Sequence, residues 1–165
     1  MTISNLTDVY IDQLQDVYSA NNQAIKVTEK LAEKAHNEEL KEALERGAKG
    51  IREGRDVIEG ILKEHDADPK GEFCFGMEGV VKEARKHALD AEIKDDDARD
   101  AVIITQYQRM AHYGIAGYGC LTAFARRLGL MSDARKIQEC LDETYGGDRL
   151  MTSIAMGEVN KKAAA

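Results

Sequence analysis

Four long segments of the chain each carry an apolar seam at heptad-like spacing, and each seam turns small or polar at its own midpoint. The first runs Tyr10, Leu14, Val17, Asn21, Ala24, Thr28, Leu31, Ala35, and the second Leu40, Leu44, Gly47, Ile51, Gly54, Ile58, Ile61. The third reads Ile103, Tyr107, Met110, Gly114, Gly117, Leu121, Phe124, Leu128, and the fourth Ile137, Leu141, Thr144, Asp148, Met151, Ala155. Apolar residues recurring every three or four positions put one stripe of a helix against a core. Four such stripes of similar length predict an antiparallel bundle. The interrupted midpoints then fall at one height, where bundles hold metals, cofactors and ligands.

The rest of the sequence agrees with an all-α chain. Its 165 residues make one domain, residues 1–165, with enough interior to stand alone. Charged residues at 32%, one Pro and no Trp fit helices throughout, and no segment reads as a strand. The net charge of -7, with Lys and Arg interspersed among acids, excludes the clustered positive face that nucleic acid requires. Cys74, Cys120 and Cys140 have neither zinc-type spacing nor a close pair, and are expected to be reduced, packed thiols. The start MTISNLTDVY lacks the basic and apolar runs of a signal peptide, and no apolar run approaches the roughly 20 residues of a membrane span. The cytoplasm is the expected location.

Helices are expected over about residues 3–35, 38–64, 74–90, 96–128 and 131–158. Thr2 or Ser4 is expected to cap the first, Asn37 the second, the Asp95–Asp97 cluster the fourth and Ser132 the last. Pro69 and Gly71 stop propagation after the second helix, Gly129 ends the fourth, and the KKAAA tail is expected to fray. Two helical hairpins joined by a long crossover carrying a shorter helix is the ferritin-like form of the four-helix bundle.

The stretches DVYSANNQ (16–23), MEGVVKEA (77–84), ARDAVIITQYQRMAHYGIAGYG (98–119) and LDETYGGD (141–148) resemble the YciF/YciE family of bacterial ferritin-like proteins, and the likeness covers nearly the whole chain. The resemblance implies a five-helix ferritin-like fold, a stress-associated cytoplasmic role, and a carboxylate-rich centre for two metals. It also implies where that centre is altered. Asn21, Gly47, Gly50, Gly114 and Thr144 stand where family members usually have acids or histidine, while Glu78, His112, Glu143 and Asp148 remain.

A di-iron or di-manganese site needs about four carboxylates and two imidazoles, because hard cations between helices must be matched by oxygen charge. The positions here supply little of it, and His36 and His65 lie at hairpin ends. His112 is read as a packed histidine hydrogen-bonded to a neighbouring helix rather than a ligand, Asp148 as partly buried with a partner, and Glu143 as solvated. Tyr107, Tyr113 and Tyr118 are read as core residues without a catalytic role, and Tyr107, Leu121 and Phe124 as buried.

Each Gly inside a helix costs about 0.8–1 kcal/mol relative to Ala, so Gly47, Gly50, Gly54, Gly114 and Gly117 together give up roughly 4–5 kcal/mol. Something must offset that. One offset is close approach of two helix backbones; another is a space kept open for a ligand; a third is a break in the last helix at Gly146 and Gly147. Closure around Gly50 and Gly114, with one water near Asn21 and Thr144, is the expectation. The chain is thus expected to be structural or binding, with a degenerate metal centre, no cofactor, no membrane or nucleic-acid partner, and a homodimeric state suggested by family resemblance and surface tyrosines. Two alternatives stand beside this. One is an iron- or manganese-dependent oxidoreductase built on Glu78, His112, Glu143 and Asp148; the other is a small-molecule binder using the glycine-lined centre.

Overall fold

The protein, described by a computed structural model over residues 3–165, consists of α1 (Leu6–Lys34), α2 (Glu38–Glu64), α3 (Phe75–Ala84), α4 (Asp96–Arg127), α5 (Met131–Ile154) and a last short α6 (Asn160–Ala163). α1 and α2 form one antiparallel hairpin, α4 and α5 the other. α1 also packs on α4 and α2 on α5, which leaves α2 and α4 facing each other across the bundle diagonal. The segment carrying α3 crosses between the hairpins and lies against α1 and α4. No described helix is long and apolar enough to cross a membrane.

Helix ends follow local chemistry, with some departures from expectation. Asn37 and Asp95 cap α2 and α4 by accepting from the N–H groups of Leu40 and Ala98. The cap of α1 is Asn5, not Ser4, and Thr2 lies outside the described residues. Asn5 accepts from Asp8 N–H at 3.0 Å while the Asp8 carboxylate accepts from Ser4 N–H at 2.8 Å, a reciprocal arrangement that Ser4 alone cannot make. Ser132 does not cap α5 either. Gly129, at φ 76, ends α4 with Leu130 N–H bonded back to Ala125 O, and the chain re-enters helix at once with Leu130 O accepting from Ala134. α5 runs unbroken through Gly146 and Gly147. It stops earlier than expected, passing into a π-helical turn, Ala155–Val159, kinked at Gly157, and the tail continues as α6 instead of fraying from Lys161. A second π turn, Arg85–Leu89, follows α3.

One buried carboxylate ties the hairpins together. Asp100, on α4, is fully buried and accepts from two successive backbone N–H groups of the α1–α2 turn, His36 at 2.9 Å and Asn37 at 2.7 Å. Bonds from amides to a charged acceptor are among the stronger ones. The Arg-Asp-Ala segment quoted above therefore has a structural use.

The core is in two parts. At one end Val27, Leu31, Leu40, Leu44, Ile103 and Met110 pack together, joined by Cys74 and Met77 from the crossover. At the other, Tyr10, Leu14, Ile58, Ile61, Leu121 and Ile137 pack together. A fully buried aliphatic side chain contributes about 1.5–3 kcal/mol, so both clusters are substantial. Phe124 and Leu128, expected in the core, are only half-buried at its margin, while Leu121 and Ala125 on the same turns of α4 are fully buried.

Candidate functional site

The seams change at the level between the two clusters. The helices have not closed there. A cavity of about 400 Å³ lies at that height, lined by Asn21, Gly47, Gly50, Gly114 and Thr144 among others. The expectation of closure is thereby corrected, and the reason is visible at each glycine. A Cβ added at Gly50 would have nothing within 4 Å, and one at Gly114 would meet only Thr144 Cγ2 at 3.7 Å and Tyr118 at 3.9 Å. Gly47 and Gly54 serve something other than backbone approach. Their missing side chains make room for two tyrosines that reach across the diagonal from α4: a Cβ at Gly47 would stand 2.4 Å from the Tyr107 hydroxyl, and one at Gly54 2.4 Å from that of Tyr118. Tyr118 thus fills the space at Gly54, which does not border the cavity. Gly117 is a packing glycine, with Val17 Cγ2 2.8 Å from where its Cβ would be.

The cavity reaches the surface between α2 and α5, where the exposed Arg46, Lys49, Glu53 and Glu143 border it and Gly50 and Gly146 present bare backbone. Arg46 pairs with Glu42 at 3.7 Å and Lys49 with Glu53 at 3.5 Å, both as exposed pairs on one helix. Further in, the walls are mostly aliphatic or thioether: Val17, Ala20, Ala24, Met77, Met110 and Leu150.

Its polar groups are few. Asn21, buried, donates to the Tyr118 hydroxyl at 2.8 Å. Thr144 donates to the Cys140 carbonyl one turn back on its own helix at 2.7 Å, so its hydroxyl proton is spent. Tyr107 is 6% exposed and borders the cavity, and its hydroxyl, lying between Gly47 and Gly147, makes no hydrogen bond among the described residues. Burial first, and the Asp148 charge second, push its pKa up to about 12, so it stays a neutral donor. Burial likewise raises Tyr118. Burial and then the neighbouring Glu143 and Glu139 push the Cys140 thiol, also on the cavity wall, up to about 11, which leaves it protonated and a poor nucleophile.

Of the residual acids and imidazole, only His112 and Asp148 come together. Glu78 pairs with Lys82 at 3.1 Å on the outer side of α3. His112 is exposed, not packed, though it does reach the neighbouring helix: its Nε2 lies 3.2 Å from Asp148 Oδ1. Asp148 is partly buried and also accepts from Gln108 at 3.1 Å. Glu143 is at the solvent edge. Among the described residues no group of three or more His, Cys, Asp or Glu side chains is arranged to hold a metal ion. A dinuclear centre of the kind the resemblance implies therefore does not fit this donor set.

Two further clusters escaped the sequence reading. Cys74 Sγ lies 2.9 Å from the Tyr113 hydroxyl, which is also 3.1 Å from Asp16, while Ser19 and Gln23 hold the Cys74 backbone. These bonds pin the start of α3 to α1. At the far end buried Asp133 accepts from Tyr10 at 3.1 Å and lies 2.9 Å from His65 Nε2. Polar residues scattered over three helices carry no local pattern, so neither cluster has a sequence signal. Of the three cysteines, Cys74 and Cys140 are buried as expected and Cys120 is exposed.

A helical bundle of two hairpins with a crossover helix, enclosing a site at mid-height between diagonal helices, defines a ferritin-like protein. The chain belongs to the family described as a domain of unknown function, DUF892, which matches residues 5–164. It is 33% identical over 164 residues to Protein YciF of Escherichia coli strain K12, covering 99% of this chain and 98% of that protein. The crystal structure of the E. coli stress protein YciF superposes with a TM-score of 0.89 at 31% identity, over 96% of this chain and 99% of that one. YcfI from Rhodopseudomonas palustris gives 0.85 at 29% identity, over 91% and 94%.

Proposed function

We propose that this is a stress-associated cytoplasmic protein of the YciF type that does not rely on a dinuclear metal centre and instead receives a small molecule in its bundle centre. Its role in this reading is binding, not catalysis. The observation that carries it is the 400 Å³ cavity at the height where a bundle places its ligands, bordered by Gly47, Gly50 and Gly114 in place of ligating side chains. Pockets of this size hold organic ligands, and a structure that gives up helix stability at several glycines without closing the gap is consistent with a use for the space. The stress association rests on the description of the E. coli relative.

Metal analysis of the purified protein, with an ultraviolet-visible spectrum, is the first test. Less than one iron or manganese per chain is expected. Two equivalents retained through dialysis and lost on mutating Asp148 or Glu143 would refute the reading. The second test is a thermal-shift screen of neutral organic molecules, in which ligands of the folded state raise the melting temperature. The homodimer suggested by the resemblance belongs to the same proposal, and light scattering measures it.

A further inference from the structure

We infer that the ligand of this chamber is an uncharged aromatic molecule carrying a carbonyl-type acceptor, and that the Tyr107 hydroxyl is the donor that receives it. The inference rests on the chamber reading above and narrows it to a chemical class.

Tyr107 carries the argument. Its ring is 6% exposed and its hydroxyl borders the cavity without a protein partner. The hydroxyl is not sealed in the core, where the buried hydroxyls without a partner among the described residues are those of Thr28 and Thr122; it opens onto the cavity as an available donor. The backbone around it has been cleared for it, since Gly47 has no Cβ to fill the space and a Cβ at Gly147 would be 3.5 Å away. An acceptor for the hydroxyl therefore comes from the cavity side, where a ligand oxygen can compete with solvent for it. Its proton is available at neutral pH, and a phenol in this state offers a donor to a neutral oxygen.

Charge is disfavoured by what the interior lacks. Arg46, Lys49, Glu53 and Glu143 stand only at the mouth, and the first two already have acidic neighbours. An ionic group carried inward would meet aliphatic walls, the Asn21 amide and tyrosine hydroxyls, none able to neutralise it. The walls also favour an aromatic body. Met77 and Met110 both border the cavity, and thioether sulfurs make favourable contacts with rings. In size, the space is well above the ~150 Å³ cavity that admits benzene, so a bicyclic molecule is a suitable probe.

The experiment compares 2-acetonaphthone, 2-ethylnaphthalene and 2-naphthoate by equilibrium dialysis against wild type, Tyr107→Phe and Tyr145→Phe. The ketone is expected to bind wild type about 3- to 10-fold more tightly than the hydrocarbon, the range of one neutral hydrogen bond. Tyr107→Phe should erase that preference while leaving the hydrocarbon's affinity unchanged, and Tyr145→Phe, at an exposed tyrosine that does not border the cavity, should keep it. The naphthoate should bind weakest. Infrared spectroscopy gives a readout independent of any variant: the carbonyl stretch of the bound ketone should fall in frequency in wild type. Equal binding of ketone and hydrocarbon, an unshifted carbonyl, a preference that survives Tyr107→Phe, or tightest binding of the naphthoate would each overturn the inference while leaving a chamber in place. If none of the three probes binds wild type, the inference fails together with the chamber reading on which it rests.

Discussion

Adding one methyl at Gly54 should have opposite effects in two backgrounds. In the wild-type protein the new Cβ of Gly54→Ala would lie 2.4 Å from the Tyr118 hydroxyl, closer than any real contact. The hydroxyl must move, and it takes with it the acceptor of the buried Asn21 amide. Overpacking costs about 1–3 kcal/mol and an orphaned buried donor about 1–3 more, against a gain of about 1 from replacing helical Gly with Ala. The net expectation is a loss of about 1–5 kcal/mol. In Tyr118→Phe the hydroxyl is gone. The Cβ then meets Cζ at 3.4 Å and Asn21 Nδ2 at 3.9 Å, both ordinary contacts, and the same substitution should stabilise by about 0.4–1 kcal/mol. Urea denaturation of the four proteins, followed by circular dichroism and tyrosine fluorescence, measures the cycle. Gly50→Ala is the control, stabilising by a similar amount in either background because nothing lies within 4 Å of its Cβ. The same sign for Gly54→Ala in both backgrounds, or a coupling below about 0.5 kcal/mol, would refute the claim that this glycine exists to admit the tyrosine.

Asp100→Ala should cost about 2–5 kcal/mol in denaturation, since it strips the acceptor from two N–H groups, with Asp100→Asn costing less because an amide oxygen still accepts. Phe124→Ala should cost about 1–3 kcal/mol, below the 3–5 typical of a fully buried ring, because the side chain is only half-buried. Alkaline pH should destabilise the protein: Tyr107 is held above its ordinary pKa of 10 when folded, so the unfolded chain gives up that proton first, and stability fully present below pH 10 falls by about 2–3 kcal/mol as pH rises to about 12. Denaturation midpoints at pH 9 and pH 11 read this out, and Tyr107→Phe should show a smaller drop.

Much of the fold was legible because seam periodicity and turn chemistry act locally. Asn37, Asp95 and Gly129 each mark a helix end through bonds within a few residues, and the four seams bury nearly as written. Ser132 misled because a Gly at positive φ and the helix restart are so close that no residue stands free to cap. The height of the site was also legible, from four midpoints that change together. Its state was not. Whether glycines signal contact or space depends on what projects from the diagonal helix, and the rows containing Tyr107 and Tyr118 looked like ordinary core stripe. A bulky polar side chain in one seam opposite glycines in another is the signal that could have pointed to it. Asp100 was invisible for a related reason: its partners are main-chain amides more than 60 residues away, which no side-chain pattern encodes.

That carboxylate also has a consequence for biosynthesis. The first hairpin is complete in the chain once Glu64 has been made, yet the acceptor that finishes its turn follows 36 residues later. At about 5–20 residues per second the ribosome needs about 2–7 s to supply it. Throughout that interval the amides of His36 and Asn37 have only water, and the Leu31–Leu40 end of the hairpin lacks the α4 face that covers it. The turn is therefore latched late, by the arriving second hairpin, so that a nascent chain halted before residue 100 should exchange those two amide hydrogens freely while one halted well beyond it protects them.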